Sequence, residues 1–393
     1  ATARAGAFHR EEALLGAHAA CAAARVAGFR RGARCRARPF AGRAVDGLGH
    51  VNGFVLAGER LGKSDFEIVA QVCAALGAAA EHFFQGGLEG KRLRSSLVLL
   101  LSSALAAEPP GPGSLTVDLS PTRSLPASPR RRQQRVAEVV ELIHVASLVH
   151  DDVIDRAGTR RGAPALNVER GNKLAVLAGD FLLARASVTL ASLQNTEVVD
   201  LMSTVIDHLV TGEVMQMQAA GGGGLPSLEQ YRQKTFYKTA SMFANGLKSA
   251  AVAGGHAPEV SAEAFSYGKH LGMAFQLVDD VLDFTGNAEE MGKPVLSDLG
   301  SGVSTAPAIF AREEFPEMED LAARRYSGDG DVVRAAELVA RSSGVARTLE
   351  MAEEHTQRAL LALERLPDPE CSHAEACRAA LVDVAHRVLH RTK

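Results

Sequence analysis

Apolar residues return every three or four positions along most of the chain beyond His50, which is the spacing of one helix face. Val136, Val139 and Val140 are an example. The pattern predicts helices over residues 65–84, 94–106, 133–149, 173–193, 196–217, 228–254, 261–284, 332–340 and 345–366. No stretch alternates between apolar and polar residues as a strand does, so the predicted fold class is all-α.

Two segments interrupt this pattern. Residues 107–132 are crowded with Pro, Ser and Gly and end in a run of arginines, and residues 221–226 form a shorter Gly-rich break. Neither is long enough to separate domains, so 107–132 is predicted to be a surface loop insertion. Residues 51–393 should form one all-α domain, a single large helical bundle around a central cleft.

The N-terminal stretch has a different composition. Residues 1–43 contain nine arginines and no lysine, with Glu11 and Glu12 as the only acidic residues. Arg-rich, acid-poor leaders are typical of organelle transit peptides, so we predict one over residues 1–50. The alternative is a disordered Ala/Arg extension without a role. Serine is absent before Ser64, which favours a mitochondrial over a plastid destination.

The overall composition is that of an ordinary globular protein. The chain of 393 residues is 46% hydrophobic and 23% charged, with a formal net charge of −3. This balance gives no sign of nucleic-acid binding. The five cysteines are scattered without C-x-x-C spacing, which argues for reduced thiols rather than disulfides or a zinc site. No run of 18 apolar residues occurs, so no transmembrane helix is predicted.

Two acidic pentads of the same form carry the candidate chemistry. Asp151-Asp152-Val153-Ile154-Asp155 and Asp279-Asp280-Val281-Leu282-Asp283 each follow an apolar, helix-like run. Residues four apart share a helix face, so like charges repel there unless cations neutralise them. Carboxylate oxygens suit Mg²⁺, which proteins often hold together with substrate phosphates. One pentad alone could be a solvated helix face, but two predict a cleft that clamps a diphosphate through Mg²⁺.

Basic residues stand where a diphosphate would need them. Lys91 and Arg94 open an apolar helix, where backbone donors and the helix dipole already favour anions. His144 lies two helical turns before Asp151, so it belongs to the same set. Its other members are Arg160, Arg161, Lys238 with Thr239, and Lys293. Any one of them could be a solvated surface residue, but together they predict an anion site.

These motifs resemble the trans-isoprenyl diphosphate synthases, in particular the long-chain polyprenyl branch of solanesyl and decaprenyl diphosphate synthases. The resemblance extends from about Lys63 to the end of the chain. Besides the pentads it rests on Glu141-Leu142-Ile143-His144, Arg160-Arg161-Gly162, Val176-Leu177-Ala178-Gly179-Asp180, Gly212-Glu213, Lys238-Thr239-Ala240, Phe275-Gln276-Leu277-Val278, Gly292-Lys293-Pro294 and His386-Arg387-Val388.

The resemblance implies a role for each matching residue. Mg²⁺, three ions per active site, would be held by Asp151, Asp152, Asp155, Asp279, Asp280 and Asp283. The allylic diphosphate would be contacted by Arg160, Lys238, Thr239, Gln276 and Lys293. Isopentenyl diphosphate would be bound by Lys91, Arg94, His144 and Arg161. The catalytic set would be Asp151, Asp152, Asp155, Asp279, Asp280 and Lys238.

The chain departs from the family pattern at two places. Ser95 stands where the first basic motif usually ends in Pro. The Gly-Lys-x-Thr segment that often follows the second pentad is Gly302-Val303-Ser304-Thr305 here, so its lysine is missing. One diphosphate contact is therefore absent or comes from elsewhere in the chain.

Product length should depend on the helix that carries the first pentad. Ala146 and Ser147 lie five and four residues before Asp151, roughly 6–8 Å down the helix axis. Short-chain family members typically place an aromatic ring there, so small side chains predict an open tunnel and a product of about 40–50 carbons. The alternative is that these small residues only allow close helix packing.

The implied function is Mg²⁺-dependent, head-to-tail condensation of isopentenyl diphosphate onto farnesyl or geranylgeranyl diphosphate. The product would be a long-chain all-trans polyprenyl diphosphate for quinone (ubiquinone) side chains. The alternatives are a medium-chain geranylgeranyl diphosphate synthase and a non-catalytic subunit of a heteromeric synthase. A class I terpene cyclase is disfavoured because its second metal motif differs. Family members suggest a homodimer, or a heteromer with a related subunit, and peripheral membrane contact.

Overall fold

The computed structural model describes residues 92–108, 128–160, 163–221, 224–286 and 296–391. The predicted helix over 65–84 and most of the predicted 107–132 loop lie outside these ranges. Within them the chain is almost entirely helical, which confirms the all-α prediction.

The first half of the described chain carries the first acidic pentad. Its elements are α1 (Leu93–Ala104), α2 (Pro129–Ile154), β1 (Thr159–Arg160), β2 (Ala163–Pro164), α3 (Leu166–Arg170), α4 (Asn172–Ser192) and α5 (Thr196–Gly221). The two strands pair antiparallel, with Arg160 opposite Ala163. No strand was predicted here, because two residues per strand are too few to show an alternating pattern.

The second half carries the second pentad. Its elements are α6 (Leu228–Thr235), a π-helical turn (Phe236–Ala240), α7 (Ser241–Gly254), α8 (Pro258–Thr285), α9 (Ser297–Gly300), α10 (Ala306–Glu314), α11 (Glu317–Ala323), α12 (Asp331–Arg341), α13 (Gly344–Glu364) and α14 (Ser372–Leu389). The prediction of one uninterrupted helix over 228–254 is therefore wrong at the π turn, and α10, α11 and α14 were not predicted.

Helix α2 begins inside the segment that was predicted as a loop. The Ser128 side chain accepts a hydrogen bond from the Arg131 N–H at 3.3 Å, and Pro129 occupies the first helical position. Proline suits that position because its missing N–H would have no helical partner there. This capping signal, rather than the run of arginines after it, sets the start of the helix.

Helix α8 lies at the centre of the bundle and packs against α7 and α13. Its approach to α7 depends on glycine: a Cβ on Gly268 would lie 2.5 Å from the Phe243 carbonyl oxygen, which is too close for any other residue. Farther along the core, the buried Tyr267 hydroxyl donates to the Leu381 carbonyl at 2.9 Å and joins α8 to α14. These contacts fix the helix that presents the second pentad.

Helix α4 is unusually apolar for its place on the bundle. It packs against α2 on one side, yet only 33% of its most apolar 18-residue window, with a mean hydropathy of 1.6, is buried. By length and composition alone it could cross a membrane. Lys173, Asp180 and Arg185 interrupt its apolar run, so the sequence contains no 18 consecutive apolar residues here.

Candidate active site

The first acidic pentad occupies the last turn of α2. Asp151 and Asp155 are one turn apart and share a face, and Asp155 ends the helix with its N–H donating to the Asp151 carbonyl at 2.8 Å. This is the negative end of the helix dipole, where carboxylates are unfavourable. The site therefore gathers negative charge where the backbone opposes it.

The pKa of Asp151 shows this crowding. It is raised from 3.8 to about 6, chiefly by burial; Lys238 and Arg160 oppose this shift, while Glu213 and Asp155 contribute to it. The pKa of Asp155 is also raised, first by burial and then by Glu213. A divalent cation placed against these oxygens would remove the repulsion.

Asp152 points away from this face into the protein. It is 1% exposed, and Arg160 donates to both of its carboxylate oxygens at 2.6–2.8 Å. The Asn167 side-chain amide also donates to the Asp152 backbone carbonyl at 3.0 Å. The short β1–β2 hairpin brings Arg160 to this carboxylate, so the pair joins the hairpin to the end of α2.

Two of the three carboxylates of the second pentad are buried in the protein, and the third is accessible to solvent. Asp280, 2% exposed, accepts from the Tyr231 hydroxyl at 2.6 Å and from the Gln276 amide at 2.9 Å. Asp283 is fully buried and accepts from the Ser297 hydroxyl at 2.8 Å and the Asp298 N–H at 3.1 Å. Both carboxylates hold neighbouring segments onto α8.

Asp279 is the member of this pentad whose side chain remains open to solvent. It is 37% exposed and accepts from the Arg391 guanidinium at 3.0 Å. Arg391 also donates to the Phe275 carbonyl at 2.8 Å. The accessible carboxylates of the two pentads are therefore Asp151, Asp155 and Asp279, the first or last member of each motif.

The π turn brings two polar side chains to the same region. Lys238 forms an ion pair with Glu213 of α5, and the Thr239 hydroxyl donates to the Gln276 side-chain oxygen at 2.9 Å. Gln276 in turn reaches Asp280, so a continuous hydrogen-bonded chain runs from the π turn into the second pentad. An i→i+5 turn at a functional site is a recurring feature of proteins.

A cavity of about 470 Å³ joins these groups to an apolar wall. Its lining includes the polar side chains of Asp151, Lys238 and Gln276, together with Ser147 and a large set of apolar side chains. The apolar lining residues are Ile143, Leu148, Ile154, Leu183, Ile206, Leu209, Val210, Val214, Met217 and Met242.

Arg94 and His144 form a second basic position in the same cavity. Arg94 Nη1 and His144 Nε2 are 3.2 Å apart, and the guanidinium lies 4.8 Å from the centre of the Phe243 ring. Both residues line the same cavity as Asp151.

The structure brings some predicted residues to the cavity and leaves others away from its wall. Those that line it are Arg94, His144, Ser147, Asp151, Lys238, Thr239 and Gln276. Asp152, Arg160, Asp280 and Asp283 are engaged with one another or with neighbouring segments, and Ala146 is packed between α2 and α4. Lys91, Arg161 and Lys293 lie outside the described residues.

Four residues of the site were not predicted. Glu213 belongs to the Gly212-Glu213 motif but has no predicted role of its own, and the sequence patterns predict no role for Tyr231, Lys234 or Arg391. Lys234 had a detectable signal, because it precedes Lys238 by one helical turn. Tyr231 and Arg391 reach the second pentad only through tertiary contacts, which spacing cannot show.

The donor set fits Mg²⁺ held partly by substrate. Asp151, Asp155 and Asp279 offer hard oxygen ligands, and the raised pKa of Asp151 marks a place where a cation would be stabilised. Within the described ranges, no three His, Cys, Asp or Glu side chains group closely enough to hold a metal ion by themselves. Mg²⁺ commonly completes such an incomplete set with water and phosphate oxygens.

An all-helical cleft with carboxylates, cations and a long apolar wall is the arrangement expected of an enzyme that handles a diphosphate on a hydrocarbon tail. The chain matches the polyprenyl synthetase family over residues 74–339. Mitochondrial solanesyl-diphosphate synthase 1 of Oryza sativa subsp. japonica is 47% identical over 326 residues, 83% of this chain and 75% of that protein. Solanesyl diphosphate synthase 3, chloroplastic/mitochondrial, of Arabidopsis thaliana is 45% identical over 327 residues, 83% and 76%.

The fold of this chain is also similar to that of a solved structure. The polyprenyl synthase of Caulobacter crescentus, crystallised with calcium and isoprenyl diphosphate, superposes with a TM-score of 0.70 at 29% identity, covering 89% of this chain and 100% of that one. The chain belongs to the polyprenyl synthetase family. The predictions of the family, of its isoprenoid synthase fold and of prenyltransferase activity are confirmed.

The raised pKa of Asp151 predicts a stability effect. Because the folded-state pKa lies above the unfolded value, ionising Asp151 opposes folding above about pH 6, and this penalty disappears as the pH falls below 3.8. We expect Asp151→Asn, without Mg²⁺, to stabilise the protein by about 1–3 kcal/mol at pH 7.5. The advantage should shrink towards zero near pH 4, as measured by urea unfolding at both pH values.

The exposed Asp200 on α5 provides the control, since Asp200→Asn removes one carboxylate without affecting the crowded site. Equal stability of Asp151→Asn and the unchanged protein at pH 7.5 would show that Asp151 carries no such strain. Mg²⁺ with pyrophosphate should reverse the order by stabilising the unchanged protein more than the variant.

Proposed function

We propose that this protein condenses isopentenyl diphosphate head-to-tail onto an allylic diphosphate, farnesyl or geranylgeranyl, to give an all-trans polyprenyl diphosphate of about 40–50 carbons. The observation that carries the proposal is that one cavity is lined both by charged side chains, including Asp151 and Lys238, and by many apolar ones, with Ser147 one helical turn below Asp151. Such a cavity fits a charged head and a growing hydrocarbon chain. The solanesyl synthases among its relatives support a long product.

Different residues of the cavity would bind the two substrates. Arg94 and His144 would hold isopentenyl diphosphate, while Lys238 and Gln276 would contact the diphosphate of the allylic substrate. Enzymes of this family generally depend on Mg²⁺, and we propose three ions per active site, on Asp151, Asp155 and Asp279 with the rest of the two pentads around them. Bound Mg²⁺ would neutralise the negative charge that develops on the departing diphosphate oxygens.

The bond changes follow from this arrangement. The allylic carbon–oxygen bond breaks, pyrophosphate departs, and the double bond of isopentenyl diphosphate attacks the allylic cation. A proton is then lost to the released pyrophosphate, which restores an allylic diphosphate one unit longer. The apolar wall formed by Leu148, Leu183 and Leu209 keeps water away from the cation, which water would otherwise trap.

The chain's destination is proposed to be the mitochondrion. The arginine-rich residues 1–50 would act as a transit peptide, and 51–393 as the synthase domain. The mitochondrial rice relative supports this, while the Arabidopsis relative's two destinations keep the plastid as the alternative. In either organelle a long polyprenyl product would serve as the side chain of a quinone, ubiquinone in the mitochondrion.

The exposed apolar surface on α4 and α5 supports a homodimer. Leu177, Val188 and Val210 are 56%, 60% and 60% exposed, respectively. Val210 and the exposed Met217 also line the cavity, so its apolar lining reaches this surface. A second copy seated here would close the cavity and bury apolar surface that a monomer leaves in water. A membrane surface or a related subunit would be the other possible occupant.

The main test is an elongation assay with the full chain, Mg²⁺, labelled isopentenyl diphosphate and farnesyl or geranylgeranyl diphosphate. We expect a Mg²⁺-dependent ladder of products that ends at about 40–50 carbons and is absent for Asp151→Ala, resolved by reverse-phase chromatography. A ladder that ends at geranylgeranyl diphosphate would establish the medium-chain alternative. A folded protein that elongates nothing would support the non-catalytic subunit.

Ser147 is expected to control product length. Its small side chain faces the cavity, whereas Ala146 is fully buried between α2 and α4 and does not line it. Ser147→Phe should therefore block the tunnel and shorten the product, and Ser147→Ala should leave the length unchanged. Chromatography of the same reaction products checks both, and an unshortened product from a folded Ser147→Phe would remove this residue from the argument.

The proposed dimer surface can be tested without changing the cavity. Leu177→Glu combined with Val188→Glu places two charges on the exposed face of α4, so the assembly should dissociate to a monomer. The matched control is Val333→Glu on α12, a valine that is similarly exposed, at 61%, but lies elsewhere. Light scattering after size exclusion gives the mass, and an unchanged dimer in the double variant would exclude this face.

A further inference from the structure

Lys234 forms the wall between the main cavity and a second, smaller one. It lies in the last turn of α6 and lines both the 470 Å³ cavity and a neighbouring cavity of about 320 Å³. The smaller cavity is also lined by Gln230, Tyr231 and the segment Gly302-Val303-Ser304. The Lys234 side chain thus stands between the carboxylates of one cavity and the polar wall of the other.

The surroundings of Lys234 are strongly charged. Its electrostatic neighbours are the carboxylates of Asp280, Asp298 and Glu213 and the ammonium of Lys238. Asp280 already accepts from Tyr231 and Gln276, and Glu213 already pairs with Lys238, so each has another donor. Lys234 therefore adds positive charge beside two carboxylates, those of Asp280 and Glu213, that already have other donors.

Among the described residues, the group that the Lys234 ammonium contacts is the aromatic ring of Tyr231. Over the part of the chain that the structure describes, the ammonium makes neither a hydrogen bond nor an ion pair, and it lies 5.5 Å from the centre of that ring. Burial lowers its pKa, and Asp280 opposes that shift. A partly buried ammonium without a hydrogen-bonding partner is costly, and a bound anion would relieve that cost.

The wall opposite Lys234 is where a cation is missing from the sequence. Val303 stands at the position of the lysine in Gly-Lys-x-Thr segments, and Val303 lines the same small cavity as Lys234. The two positions belong to different elements but border one space. A lysine on α6 can therefore bring its charge to the volume that a lysine at 303 would otherwise reach.

We propose that Lys234 supplies this missing cation and binds the diphosphate of the allylic substrate. The inference rests on the proposed function, and it adds a substrate-binding residue to Lys238 and Gln276. A lysine suits the role because its ammonium is a compact charge on a flexible stem, with three donors for phosphate oxygens.

The first test replaces the charge and keeps the stem. Lys234→Met should raise KM for the allylic diphosphate by about 10- to 100-fold, the range expected when one charge-assisted contact is lost. KM for isopentenyl diphosphate should change little, because Arg94 and His144 are not altered. Lys234→Arg, which keeps a cation, should recover much of the loss. Lys248→Met, on a surface lysine paired with Glu197, is the matched control and should leave both constants unchanged.

The decisive variant moves the charge across the cavity. Val303→Lys added to Lys234→Met should restore the low KM for the allylic substrate, since the new ammonium enters the same space from the opposite wall. If Lys234 only offsets the charge of Asp280, Lys234→Met lowers the melting temperature but leaves KM for the allylic substrate unchanged, which would overturn the proposal. A folded double variant that stays as weak as Lys234→Met would also overturn it.

A binding measurement separates this inference from the proposed reaction. Titration calorimetry with Mg²⁺ and pyrophosphate needs no turnover, and Lys234→Met should weaken this binding by a similar factor. Elongation by the unchanged protein tests the function itself. Pyrophosphate binding that is equal in the unchanged protein and Lys234→Met would contradict the role of Lys234 whether or not the reaction is confirmed.

Discussion

The buried carboxylate of Asp280 is the interaction on which the geometry of the site depends. A charge at 2% exposure is tolerated only where hydrogen bonds replace the lost water. Here they come from Tyr231 of α6, from Gln276 of α8 itself, and more distantly from the backbone N–H of Ala306 at 3.4 Å. Satisfying one carboxylate therefore fixes three segments around the second pentad.

In both pentads, one carboxylate has a structural role and another stays accessible, which the spacing of the motif does not show. In each, an inner carboxylate holds the protein together, Asp152 through Arg160 and Asp280 through Tyr231, while a neighbour on the adjacent face stays accessible. Adjacent residues on a helix point about 100° apart, so one motif can serve both purposes. An acidic motif of this form can therefore hold segments of the protein together as well as supply metal ligands.

The hydrophobic pattern was enough to predict the long helices and the all-α class, because a 3.6-residue period persists over many turns in segments such as α2 and α8. It could not predict the β1–β2 hairpin, which is too short for any period. The α14 helix was missed although its buried Cys377, Leu381, Val384 and Val388 return every three or four positions. The π turn has the composition of an ordinary helix, so nothing in residues 236–240 distinguishes it from its flanks.

Within the site, the sequence identified which residue types come together but not which way they face. Ala146 and Ser147 were equivalent as small residues, and only the phase of α2 separates them: Ser147 lies one turn below Asp151 on the cavity side, and Ala146 packs against α4. Lys234 and Arg391 depend on contacts between elements distant in the chain. Side-chain direction is a property of packing, which a single sequence specifies only indirectly.

The π turn has a consequence for how this enzyme could have diverged. The Ser241 N–H bonds to the Phe236 carbonyl, one residue farther back than in an α-helix, so this turn contains one extra residue. Because the turn absorbs this residue as a bulge, deleting one residue between 236 and 240 would leave a continuous α-helix with both flanks in their present orientation, and would turn the side chains within 236–240 by up to about 100°. Lys238 and Thr239 would then leave the cleft while α7 kept its place in the core. A one-codon change could thus abolish catalysis and preserve the fold, which is a short route from an enzyme to a non-catalytic paralogue.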